Sequence, residues 1–185
     1  MAFTTKQLIF IALMAALLFV VNFTIGAGII AVTEIPASSG FITGLTNVLV
    51  VTFVALTMRK FGALSLLYLV YGILALPTFM AGGPPGFVWK IPMLVLSAFI
   101  FESGLWFFRY KKYGFIISLP IFVVTGLLIY LGGFWLFGIP GLDKFIQAIP
   151  VFLVLFIMLG YLGMWLGFKL FNKFKNKRIL QQITS

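Results

Sequence analysis

The chain contains no cysteine and no histidine. Without cysteine it forms no disulfide and offers no thiolate nucleophile or thiolate metal ligand. Without histidine it has no Ser-His pair, no imidazole proton relay and no zinc site of the His-rich kind. Acids are almost as scarce, numbering 3: Glu34, Glu102 and Asp143. A catalytic acid pair is therefore unsupported, and no catalytic residue, metal or cofactor is expected. Charged residues make up only 9% of the chain, where a soluble domain carries about 25%.

What fills the chain instead is apolar. Of 185 residues 63% are hydrophobic, and 23 are Phe, which is the composition of an all-α integral membrane protein. A spanning helix needs about 20 mostly apolar residues. Six stretches qualify and predict a six-transmembrane-helix bundle: about 7–29, 41–58, 61–80, 88–108, 114–137 and 146–170. Pro36 with Ser38, Ser39 and Gly40 separates the first two, and Arg59-Lys60 the next pair. Ala81-Gly82-Gly83-Pro84-Pro85-Gly86 ends the third, Arg109 to Lys112 the fourth, and Gly138 to Gly141 the fifth. No soluble domain, long linker or internal repeat interrupts this single domain of residues 1–185. Lys6 precedes a long apolar run with no small-residue cleavage site, so the first segment reads as a retained helix.

The net charge of +10 suggests nucleic acid until the charges are placed. Lys6, Arg59, Lys60, Arg109, Lys111, Lys112, Lys169, Lys173, Lys175, Lys177 and Arg178 fall on one side of a six-helix arrangement. That is 11 of the 13 basic residues, leaving Lys90 and Lys144 opposite, beside Glu34 and Asp143. Basic loops stay cytoplasmic, so both termini are expected there, in a multi-pass protein of the plasma membrane. The basic tail from Lys169 to Arg178 reads as an anchor to anionic lipid headgroups.

Several residues stand out as candidates. Ala12 and Ala16 are four apart on helix one, a small-xxx-small face that serves either internal packing or docking of another helix. Glu102 is the one acid inside an apolar segment. A charge at that depth costs about 2.5 kcal/mol or more and turns to a bundle interior or a water-filled cavity. Its two readings are a hydrogen bond to a Ser, Thr or Tyr of a neighbouring helix, such as Tyr68 or Tyr71, or a place in a ligand cavity or proton path. The glycines and prolines of 82–86 can fold irregular backbone into the bundle where it lines a cavity. After them come Trp89, able to stack on a flat ring or to anchor at the interface, and Lys90, able to pair with an anion or with Glu34. Trp135 and Tyr130 invite the same two readings. Asn47 with Thr43, Thr46 and Thr52 makes a polar stripe on helix two, which must find partners in the interior.

These features together resemble the substrate-binding S component of energy-coupling factor (ECF) vitamin transporters, nearest to those linked to thiamine and its hydroxymethylpyrimidine precursor. The likeness runs from about Phe41 to Tyr113. It includes Met58-Arg59-Lys60-Phe61-Gly62-Ala63, Gly82-Gly83-Pro84-Pro85-Gly86, Glu102 and the basic break from Arg109 to Lys112; the flanking helices match only in hydropathy. The resemblance implies an outward-open vitamin cavity and docking on a membrane T component coupled to two cytoplasmic ATPases. It also implies that the helix-one alanines, here Ala12 and Ala16, form the docking face. One departure is that helix three of that likeness carries acids, whereas here it carries Tyr68 and Tyr71. The cargo is thus open between a cation held by Glu34, Glu102 or aromatic rings and an anion held by Lys90.

The expected function is a non-catalytic binding subunit for a vitamin-like ligand, with the pocket lined by Glu34, Asn47, Tyr71, Trp89, Lys90 and Trp135 and with Glu102 beneath it. The alternative is a self-sufficient small secondary transporter or channel, although neither inverted repeats nor paired broken helices are visible.

Overall fold

In the computed structural model the described residues are 3–33, 39–78, 85–137, 142–177 and 180, with side chains described except at 29–33, 39–42, 130, 134, 142–148 and 152. Glu34 and the side chain of Tyr130 thus lie outside the described residues. Among those described there is no strand. The helices are α1 Thr5–Thr33, α2 Ser39–Met58, α3 Ala63–Ala75, α4 Lys90–Phe107, α5 Lys112–Leu136 and α6 Leu142–Phe174. Four of them, α1, α4, α5 and α6, are long and apolar enough to cross a membrane; α2 and α3 contribute the shorter apolar stretches Thr43–Met58 and Ala63–Ala75.

The helices pack as a ring in the order α1, α2, α6, α5, α4, α3, closing again on α1. The first turn of α1 is held by a capping box. Gln7 N–H donates to Thr4 Oγ1 (3.4 Å) while Thr4 N–H donates to Gln7 Oε1 (3.1 Å). The same Gln7 oxygen accepts from Lys60 Nζ at 2.9 Å, which ties the start of α1 to the turn between α2 and α3.

Between lipid-facing helices apolar burial gives little drive, so close packing and internal hydrogen bonds decide which faces meet. On α6, Gly163 and Gly167 lie against α2. A Cβ on Gly163 would stand 2.5 Å from the Leu45 carbonyl oxygen, and one on Gly167 would stand 2.9 Å from that of Leu49. The two backbones therefore touch. Aromatic rings link the remaining helices: Tyr68 to Phe122 (6.4 Å between centroids), Phe122 to Phe101 (5.2 Å) and Phe115 to Phe168 (5.2 Å). Pro120 inside α5 has no N–H to give the Ile116 carbonyl. Tyr161 of α6 supplies the missing donor, its hydroxyl lying 3.1 Å from that oxygen.

α3 is the exception to the expected lengths. The hydropathy predicts a helix over 61–80, but α3 has 13 residues and spans about 20 Å. Gly62, at φ 95, begins it, a left-handed turn that glycine adopts freely. Pro77 ends it, because its nitrogen carries no hydrogen and its ring collides with a continuing turn. A hydrocarbon layer is about 30 Å thick, so α3 is shorter than a layer that the longer helices are long enough to cross, and at least one of its ends would lie within such a layer. Its free N–H and C=O groups then need partners from protein.

Candidate functional site

Those partners come from α4. Its only ionisable residues are Lys90 and Glu102, separated by 12 positions, or about 18 Å along a helix. α3 is the same number of steps from Ala63 to Ala75 and packs against α4. Glu102 reaches the start of α3. Its Oε1 accepts from Leu64 N–H at 3.1 Å, its Oε2 accepts from Ser65 Oγ at 3.2 Å, and the Gly62 and Ser65 amides also reach it. Gly62, at the N-cap position, has no side chain with which to cap the helix, so α4 provides the cap. Lys90 reaches the other end, where Nζ donates to the carbonyls of Thr78 and Ala75. The Ala75 oxygen also accepts from Thr78 N–H (3.1 Å) and Thr78 Oγ1 (2.9 Å). Each charge meets the helix end of opposite partial charge. Both side chains are fully buried. Of the roles expected for Glu102, the structure supplies partners for the packing role: Ser65, of the Ser, Thr or Tyr type expected, and the Leu64 amide, with neither Tyr68 nor Tyr71 among them.

A second polar group lies where α1, α2 and α3 meet. Asn22 Nδ2 donates to Tyr71 Oη at 3.1 Å, and Thr46 Oγ1 donates to Asn22 Oδ1 at 2.5 Å. Next to Thr46, Asn47 Nδ2 donates to the Thr43 carbonyl at 2.6 Å, while its Oδ1 is buried with no hydrogen-bond partner. Tyr71 also meets Tyr68 edge-on, 6.1 Å between centroids. The cluster is a small polar island of amides and hydroxyls. It holds no nucleophile-base pair, so its chemistry is hydrogen bonding to a ligand or to itself.

The remaining sequence candidates are dispersed. Tyr71 is one helical turn before the Ala75 carbonyl held by Lys90, so these two belong to the same end of α3 as Asn47's neighbour Asn22. Trp89 is half-buried with its indole against Gly133 of α5, where no Cβ would fit, and 5.9 Å from the Phe137 ring; its Nε1 has no partner. Trp135 is 73% exposed, on the outer face of α5 and apart from the cluster. Glu102 lies at the opposite end of α3 from Tyr71. Ala12 is exposed and Ala16 half-exposed, whereas Ala15 is fully buried, so Ala12 is left open by the chain's own helices. Clefts on the described surface include one beside Pro150 and Val154 and one between Arg59, Arg109 and Phe168, and neither of these is lined by Asn47, Tyr71, Lys90 or Glu102.

Comparison of the chain with protein-family models, with curated proteins and with solved structures finds no match. The chemistry of its own residues carries the reading.

Four groups are missing from the sequence reading. Asn22 is the lone amide between Leu8 and Thr33 of α1, and that isolation in an apolar helix is its signal. Gly163 and Gly167 form a Gly-x-x-x-Gly pair that could have been read as a packing face, as Ala12 and Ala16 were. Thr4-x-x-Gln7 matches the capping-box spacing. Tyr110 had no signal at all. It is buried in the turn after α4 with its hydroxyl unpartnered, and burial, helped by the nearby Glu102 charge, pushes that hydroxyl's pKa up.

Proposed function

We propose that the chain is the substrate-binding S subunit of an ATP-driven ECF-type importer, with six membrane-crossing helices and both termini cytoplasmic in the plasma membrane. The observation that carries this reading is the Asn47 side-chain oxygen, buried and without a partner, beside the Asn22–Tyr71–Thr46 network. Thr52 Oγ1, Trp89 Nε1, Tyr110 Oη and Ser118 Oγ are also buried without partners, but only Asn47 adjoins a member of the network in sequence. A buried acceptor left open costs about 1–3 kcal/mol, and a ligand N–H would satisfy it. A flat heteroaromatic ring bearing an amino group suits both that oxygen and the rings of Tyr71 and Tyr68. This is the chemistry of a vitamin or its precursor, thiamine's pyrimidine half included. The basic turns gather at the far end of the bundle, as the contact of Lys60 with Gln7 and the cleft shared by Arg59, Arg109 and Lys112 indicate. A positive-inside orientation then opens the Asn47 end outward. The sequence contains no phosphate-binding loop, so the energy for import comes from a membrane T component and two cytoplasmic ATPases. The exposed small side chain of Ala12 leaves room for the first of these.

A thermal-shift screen of the detergent-purified protein against B vitamins and their precursors tests the proposal. A ligand at a thousandfold excess over Kd adds about 4 kcal/mol to stability. One strong hit, reduced in Asn47→Ala and in Tyr71→Phe, supports the binding subunit. Silence across the panel, with solute uptake by the protein alone in liposomes, would replace it with the secondary transporter.

A further inference from the structure

At the end of the bundle that carries the basic turns, a cleft of about 490 Å³ opens between the turn after α2, the turn after α4 and the end of α6. Four cations rim it: Arg59 from the first turn, and Arg109, Lys111 and Lys112 from the second. All four are exposed. Among the described residues no carboxylate is available to them. Glu102 is held by the start of α3, Asp143 lies in the first turn of α6 at its opposite end, and Glu34 follows the far end of α1 in sequence. Like charges brought this close repel unless an anion lies among them.

Both arginines follow helix ends in the left-handed conformation. Arg59 has φ 45 and Arg109 has φ 51, followed by Tyr110 at 54. Side chains avoid this left-handed region, which glycine adopts freely, and such outliers gather at ligand sites. Gly62, two steps after Lys60, shows that these turns use glycine where only a reversal is needed. The wall of the cleft is apolar, formed in part by Phe168 and Phe171. Exposed Trp106, Tyr113 and Trp165 surround this end, with Lys169 Nζ 5.2 Å from the Trp165 ring centroid. Aromatic residues of this kind mark the depth of lipid headgroups.

We infer that the cleft is a specific phosphate site, filled by the headgroup of an anionic phospholipid. Two guanidinium forks grip the phosphate oxygens, the two lysines complete the charge, and the phenylalanines receive the glycerol and upper acyl chain. Free phosphate shares the charge but has nothing to place on the apolar wall, which favours the lipid. The site is independent of what the Asn47 end binds.

The test follows the unfolding temperature of the full chain in dodecyl maltoside. Dioleoylphosphatidylglycerol, dioleoylphosphatidylcholine, sodium phosphate and sodium chloride are compared, with the two salts at matched ionic strength. Wild type is expected to gain several degrees with phosphatidylglycerol and none with the other three. R59G/R109G removes both guanidinium groups while suiting the left-handed backbone, so it should unfold no earlier than wild type yet lose most of the lipid shift. K111Q/K112Q, on ordinary backbone, should lose part of it. K173Q/K175Q/K177Q removes three charges from the tail and should keep the full shift. Retention of the shift in R59G/R109G, or equal loss in the tail variant, overturns the site. A shift with sodium phosphate as large as with phosphatidylglycerol overturns the lipid source.

Discussion

Glu102 and Lys90 sit on one helix and act on the ends of another. Replacing Glu102 by Ala orphans the Leu64 amide and the Ser65 hydroxyl in a buried place, and each orphaned donor costs about 1–3 kcal/mol. A loss of about 3 kcal/mol is expected in equilibrium unfolding in detergent, with Glu102→Gln losing less because one acceptor oxygen remains. Lys90→Met should cost less than Glu102→Ala, since the Ala75 carbonyl keeps its two bonds from Thr78. The sites are about 18 Å apart, so the double variant should be additive to within about 0.5 kcal/mol. An unchanged unfolding midpoint in Glu102→Ala would discard the cap. Scarcity made Glu102 conspicuous in the sequence, because a single acid in an apolar run must have a partner. Which partner was not legible there. It binds a backbone amide 38 positions away and a serine hydroxyl 37 positions away, and a backbone amide leaves no mark in residue identity.

At the scale of the element, apolar runs and punctuation placed every helix, with the separator Arg59-Lys60 falling between α2 and α3 as expected. The length of α3 was missed because hydropathy stays high through Leu76 and beyond, while Pro77 ends the helix by geometry. Helix faces were harder still. Ala12 and Ala16 drew attention for their spacing, yet the backbone-to-backbone contact is made by Gly163 and Gly167 against α2. Small residues permit close approach without saying which helix comes close. Gly163→Ala puts a methyl group against the Leu45 carbonyl oxygen and is expected to cost about 1–3 kcal/mol. Gly28→Ala, which meets nothing within 4 Å, should be neutral or stabilising by up to about 1 kcal/mol. Equal effects of the two on unfolding would contradict the packing. Tyr161→Phe removes the donor to the Ile116 carbonyl and should cost about 0.6 kcal/mol, typical of such bonds in membranes. In a Pro120→Ala background, which restores the helix's own N–H, the same change should cost nothing. A full penalty in both backgrounds would mean that Tyr161 contributes something other than this bond.

For the molecule as a whole, composition made an all-helical chain with helices long and apolar enough to cross a membrane legible, and the basic residues of the turns after α2 and α4 line one cleft. The polar island was legible in half. Asn47 and Tyr71 announced themselves, whereas Asn22, which bonds Tyr71 and Thr46, was read as one more position of an apolar helix. With Ala12 exposed on α1, Ala12→Leu together with Ala16→Leu should leave unfolding and ligand binding unchanged while abolishing co-purification with a T component. Intact co-purification would remove α1 as the docking face. The glycine contact between α2 and α6 has a mechanical consequence. Side chains that interlock can slip by changing rotamer, but two backbones in direct contact have no such freedom. Any rearrangement that opens the island must therefore carry α2 and α6 together as one rigid lever, with the hinging left to α1 and to the ring-packed α3, α4 and α5.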